Sequence, residues 1–143
     1  MVGTSLHGDL EFRPLTVARI DGDRIRILLD TNEAWAKAIS PDDPVQVTLS
    51  DNRKNHWAWI KGTIALSTDQ ALIDELWSPF AAAYFDDGRD TPGIAVLTVT
   101  VDDGRYWTTA SGRIGSLISA IRAKLGRPDQ AGEHGVIDPD PST

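Results

Sequence analysis

The run "HWAWIKGTIALS", His56–Ser67, alternates in character with a period of two. In a β-strand successive side chains point to opposite faces. Trp57, Trp59, Lys61 and Thr63 therefore share one face, and His56, Ala58, Ile60, Gly62 and Ile64 share the other. The second face is apolar and is the natural core side. The first carries two indoles and an ammonium. It suits a subunit interface, where Trp is enriched, or the pocket of a flat aromatic ligand. Both readings stand at this level. Gly62 marks a bulge or a close backbone approach.

Further strand-like runs surround this one. "LEFRPLTVARI" (Leu10–Ile20) and "RIRILLD" (Arg24–Asp30) flank Asp21-Gly22-Asp23, a hairpin signal. "PVQVTLS" (Pro44–Ser50) leads through a polar loop into the His56 run. A last pair is expected from "IAVLTVTVDD" and "RYWTTA", turning at Asp103-Gly104, and "MVGTS" is a candidate first strand. Three helices are expected between them. Thr31–Ile39 begins at a capping threonine and stops before Pro41. Ser67 and Gln70 fit a capping box leading into "LIDELWSPFAAAYF", Leu72–Phe85. Its apolar rows at four-residue spacing are interrupted by Pro79, so it reads as two helices, the second capped by Ser78 with Pro79 in its first position. Ser111–Leu125 presents Ile114, Leu117, Ile118, Ile121 and Leu125 on one face, and Gly126 stops it. These elements predict a mainly β protein with peripheral α. Residues 1–126 are expected to form the barrel domain, and 127–143, rich in Pro, Asp and Gly, a partly flexible tail.

At 143 residues the chain is long enough for one domain, and its net charge is −7. Nucleic-acid binders carry a basic patch that neutralises phosphate, so neither nucleic acid nor a membrane is expected as a partner. There is no cysteine, which removes disulfides, thiolate metal sites and thiol nucleophiles, and a cytoplasmic location is expected. His7, His56 and His134 have no spacing that suggests metal ligation. Serine-nucleophile, phosphate-loop and dinucleotide fingerprints are missing. Arg13, ahead of Pro14, is either one half of a surface or interface ion pair or a fork of donors for a phosphate or an electron-rich ring edge.

Four stretches together give the chain a family likeness. They are "EFRPLTVA" (Glu11–Ala18), "WIKGTIALSTDQALIDELWSPFAAAYFDDGRD" (Trp59–Asp90), "AVLTVTVDDGRYWTTASGRIGSLI" (Ala95–Ile118) and "GEHG" (Gly132–Gly135). On these residues the sequence resembles the general-stress-protein branch of the pyridoxamine 5′-phosphate oxidase-like superfamily. The resemblance implies a six-stranded split β-barrel that dimerises and holds flavin mononucleotide (FMN) at the subunit interface. It implies as well a general stress protein, read as a flavin-dependent oxidoreductase, whose flavin is the small-molecule partner. Met1 falls within the family's first strand, so the barrel is expected to be N-terminally short.

The resemblance also assigns residues. Arg13, Pro14 and Leu15 on the Arg-Pro strand, with Leu28 on the next, would face the flavin. Leu29 and Asp30 fall where the family keeps a phosphate-gripping Thr-Ser pair, and Glu33 and Trp35 fall where it keeps a Ser and a Lys. Thr31 and Lys37 are nearby substitutes, and Trp107 is the candidate to close the pocket from a partner chain. Trp59 stands where the family tends to keep a small hydroxyl residue and would crowd the ring. An FMN phosphate would be repelled by Asp30 and Glu33. The alternative is therefore a dimeric split barrel that has lost FMN and acts as a binding or structural stress protein; another cofactor, such as a deazaflavin or haem, fits more loosely.

Overall fold

The computed structural model describes residues 1–6, 9–53 and 56–108. Within them the run Leu10–Ile20 is broken at Pro14. Proline has no amide hydrogen to give to a strand ladder, and β2 (Asp9–Arg13) stops immediately before it. The chain resumes as β3 (Val17–Asp21) and turns at Gly22-Asp23 into β4 (Arg24–Asp30), with Asp21 opposite Arg24. The expected hairpin is present. The opening residues form β1 (Val2–Leu6), and β5 (Asp43–Asp51) and β6 (His56–Ser67) follow the sequence pattern closely.

These strands and β7 (Ile94–Thr108) make one antiparallel sheet in the order β2-β1-β5-β6-β7-β4-β3. The count is seven strands rather than six, because the run interrupted by Pro14 supplies two. Its two edges, β2 and β3, are consecutive in sequence and joined only by Pro14–Thr16. At ~3.6 Å per residue, that connection keeps the ends of the edge strands within about 14 Å of each other. The sheet therefore curls into a barrel that is nearly shut but remains split between β2 and β3.

Inside the curl, Ile25, Ile27, Val47, Ile60, Leu97 and Val99 are fully buried. They pack with Val2, Leu29, Val45, Ile64 and Val101 in the main core. The alternation in β6 holds: Ala58, Ile60, Gly62 and Ile64 are buried, while Trp57 and Lys61 are exposed. Trp59, half-buried on the outer face, donates its indole N–H to Gln46 Oε1 at 2.9 Å, and the Lys61 ammonium lies 5.3 Å from its ring centroid.

β7 corrects the expectation of two strands with a turn at Asp103-Gly104. It runs unbroken along the whole of β6, from Ser67↔Val96 to His56↔Thr108. The Asp-Gly signal is local, and continuous pairing with a long alternating neighbour overrides it. What remains of the irregularity is a bulge: Lys61 pairs with Asp103 but Gly62 with Val101, leaving Asp102 as the extra residue. A Cβ at position 62 would overlap the Thr100 carbonyl oxygen. Gly62 thus marks both a bulge and a close approach.

The helices are shorter than their sequence patterns. Ser67 still belongs to β6, opposite Val96, so it cannot head the next helix. The cap is Asp69, whose carboxylate accepts the Ala71 N–H at 3.1 Å to open α2 (Gln70–Leu76). Ser67 Oγ accepts the Asp69 N–H one step earlier. After Trp77, Ser78 does cap the next segment, accepting the Ala81 N–H at 3.1 Å, but that segment is a single 3-10 turn, Ala81–Ala83. Pro79 sits in the break, where no helical hydrogen bond is lost. Ile73, Leu76 and Phe85 fold back onto Ile94 and Val96, forming a second core on the outside of the barrel. Arg19 of β3 ties onto this unit through an ion pair with Glu75 and a 3.0 Å bond to its carbonyl.

The expected Thr31–Ile39 helix contracts to one turn, α1 (Ala34–Lys37), with Glu33 at its N-cap position. Thr31 is held elsewhere: its N–H and its hydroxyl each donate to the Gly93 carbonyl at 2.8 Å. Among the described residues no helix is long and apolar enough to cross a membrane. The expected Ser111–Leu125 helix, residues 127–143 and His134 lie outside the described residues.

Candidate functional site

The split between the edge strands opens into a cleft of about 470 Å³. Its floor comes from the β2–β3 connection and the end of β4, so Arg13, Pro14, Leu15, Leu28, Leu29 and Asp30 meet there. Pro14 is the reason: by ending β2 it frees the following residues from the ladder, and they pass across the mouth of the barrel. Glu33 and Trp35 of the α1 segment form one wall. Phe80 and Tyr84, 56% and 64% exposed, contribute another from beyond the break at Pro79. Their rings are in tilted contact at 5.2 Å.

Asp30 closes β4, and its Oδ1 accepts the Asn32 N–H at 2.8 Å, an Asx turn that fixes the carboxylate at the cleft. The turn is latched to the β7 entry by the Thr31 bonds to Gly93 and by Asn32 Nδ2, which donates to the Pro92 carbonyl at 3.3 Å. Gly93 takes φ +93°, and a Cβ there would stand 2.5 Å from Asn32 Nδ2 and 2.9 Å from Asp30 Oδ1. Only glycine permits both that backbone and that approach. The Glu33 side chain makes no cap bond to α1.

Arg13 is mostly buried and is ion-paired with Glu11, two residues back on the same face of β2. Its guanidinium also lies over the Trp35 indole, 4.8 Å from the ring centroid. The ion-pair reading of Arg13 is thus present in the Glu11 contact, and its guanidinium is stacked on an aromatic ring beside the cleft.

Thr31, Lys37 and Trp107 do not line this cleft. Thr31 serves the Gly93 latch, and Lys37 is an exposed residue in the last turn of α1. Trp107 lines a neighbouring cleft of about 560 Å³ with Met1, Trp57 and Trp59, and Leu15 borders both. Trp59 accordingly stands outside the Arg13 cleft. Phe80 and Tyr84 carried no functional reading in the sequence. Their signal was the four-residue spacing of two aromatics one position off the row Trp77, Ala81, Phe85 that packs inward.

A family model described as pyridoxamine 5′-phosphate oxidase like matches residues 1–130. The chain belongs to the pyridoxamine 5′-phosphate oxidase-like family. Among solved structures, a protein described as a general stress protein 26 of Jannaschia is 30% identical, covers 78% of this chain and 71% of its own, and superposes with a TM-score of 0.66. A general stress FMN/FAD binding protein of Xanthomonas citri is 26% identical over 80% of this chain and 83% of its own, with a TM-score of 0.63. A protein of Clostridium acetobutylicum related to general stress protein 26 shares the fold at 22% identity and a TM-score of 0.66, over 78% and 80% of the two chains. No curated protein matches the chain. The split barrel is thus the fold of the family.

The cleft fits one half of an FMN and not the other. Leu15, Leu28, Trp35, Phe80 and Tyr84 offer the apolar and aromatic surface that a flat ring system needs. At the phosphate the match fails. Among the described residues that line the cleft, Arg13 is the one cation and already faces Glu11, while Asp30 and Glu33 present carboxylates.

Proposed function

We propose that this chain is a flavin-binding member of its family that holds the isoalloxazine ring in the Arg13 cleft and works as a homodimer. The observation that carries the reading is the convergence of Arg13-Pro14-Leu15 and Leu28-Leu29-Asp30, from two separate strands, on one cleft with aromatic walls. The description of the Xanthomonas citri relative as FMN/FAD binding supports it. In such a site the cofactor supplies redox chemistry, and the protein supplies binding, orientation and electrostatics. Arg13, stacked on Trp35, would border the ring, and Leu15 and Leu28 would pack against it. The reading extends to a flavin-dependent oxidoreductase of the general-stress type. The homodimer rests on the outer face of β6 and β7, where Trp57 is 40% exposed opposite Trp107.

A second reading is favoured by one specific feature. Asp30, Glu33 and Trp35 stand where the family resemblance puts phosphate-gripping residues, and this supports a split-barrel protein that has given up FMN. The visible spectrum of the freshly purified protein, followed by titration with flavins, separates the two. A flavin band, or saturable quenching of added flavin, is expected. A colourless protein that takes up no flavin would overturn the proposal in favour of the second reading.

A further inference from the structure

We propose that the Arg13 cleft selects the dephosphorylated flavin, an isoalloxazine with a neutral polyol chain as in riboflavin, over FMN. The inference rests on the flavin-binding reading and names the ligand class of the same site. Its basis is the chemistry of the β4–α1 wall. Asp30 is held at the cleft by its Asx turn and by the Gly93 latch behind it. Glu33 follows three residues later, and its carboxylate is not engaged in capping α1. The Arg13 guanidinium, the one cation among the described lining residues, is shared between Glu11 and the Trp35 ring. Lys37, the nearest lysine in sequence, lies outside the lining.

A phosphate dianion brought to this wall meets two carboxylates and competes with Glu11 for Arg13. The single-turn α1 adds little helix dipole to offset them. A polyol chain meets the same groups on opposite terms. Ionised carboxylates are acceptors only, with room for several hydrogen bonds, and each ribityl hydroxyl is a donor. The wall that repels FMN is therefore suited to bind its dephosphorylated form, while the indole and the phenyl and phenol rings serve the isoalloxazine in either case. Like-charge juxtaposition of this kind corresponds to a preference of about tenfold or more. Because the discrimination is electrostatic and the site open, it should narrow as salt rises.

The test is titration of the full-length protein with riboflavin and with FMN, followed by flavin fluorescence at low and at high salt, and repeated with Glu33→Gln. The expected result is tighter riboflavin binding at low salt, a gap that narrows with salt, and a narrower gap again in Glu33→Gln through a gain in FMN affinity. FMN binding as tightly as riboflavin or more tightly would overturn the selectivity while leaving the flavin site standing. Binding of neither flavin would overturn the flavin site itself, and the selectivity with it. A riboflavin preference unaltered by salt and by Glu33→Gln would overturn the electrostatic origin argued here.

Discussion

The Arg13 guanidinium lies over the Trp35 indole at 4.8 Å while its ion-pair partner is Glu11. This contact joins β2 to α1 across the mouth of the barrel, where no backbone ladder connects them. It places the arginine beside the indole that forms one wall of the cleft.

Such a stack has a measurable coupling. Cation–π pairs are worth about 0.5–1 kcal/mol at exposed sites and more when desolvated. Arg13→Ala, Trp35→Ala and the double variant, compared by urea denaturation, should show a coupling of about that size. Trp35→Ala alone should be the more destabilising single change, because Trp35 also packs against the main core. Strict additivity of the two changes would mean that the stack contributes nothing to stability.

Much of the barrel was legible because alternation is a local property. The His56 run could be assigned to faces residue by residue, and Asp21-Gly22-Asp23 marked its hairpin without help from elsewhere. The failures have a common origin in distant partners. Asp103-Gly104 looks like a turn until β6 is laid along it. Thr31 looks like a helix cap until the Gly93 carbonyl, sixty-two positions on, takes both its donors. At the site, the two strand segments could be named in advance through the family resemblance. The wall from Phe80 and Tyr84 could not, since it reaches the cleft only after the Pro79 break folds that segment over the barrel.

Gly62→Ala tests the bulge. The added methyl would meet backbone, the Thr100 carbonyl oxygen, rather than the yielding end of a side chain. Overpacking of this kind costs about 1–3 kcal/mol, and here β6 and β7 would have to part locally to relieve it. The midpoint of chemical denaturation should fall accordingly. A loss below about 0.5 kcal/mol, the range of an ordinary surface change, would mean that the two strands are not held this closely.

Gly93→Ala connects the backbone to the site. Both Gly93 and Gly22 have positive φ, +93° and +56°, but only at Gly93 would a Cβ press on the Asp30–Asn32 turn. Each alanine should lower stability through strain, by about 1–2 kcal/mol for a left-handed residue. Gly93→Ala should lower it further and should also change flavin affinity by displacing the Asp30 carboxylate. Gly22→Ala, with nothing within 4 Å of its Cβ, should leave affinity unaltered. Equal behaviour of the two variants in both assays would remove the latch from the account of the site.

Trp57→Glu tests the proposed dimer. Trp57 projects from the outer face of β6, 40% exposed, opposite Trp107 on β7 and beside a cleft that also includes Trp59. In an isolated subunit its replacement touches little of the core, so the change in intrinsic stability should stay within about 0.5 kcal/mol. In a dimer that covers this face, the same change buries a carboxylate against a second apolar surface. Light scattering should then report a dimer for the parent protein and a monomer for the variant, with the far-ultraviolet spectrum preserved. A variant that remains dimeric would place the interface on another surface. A parent protein that is monomeric at high concentration would remove the dimer, and the flavin site would have to be complete within one chain.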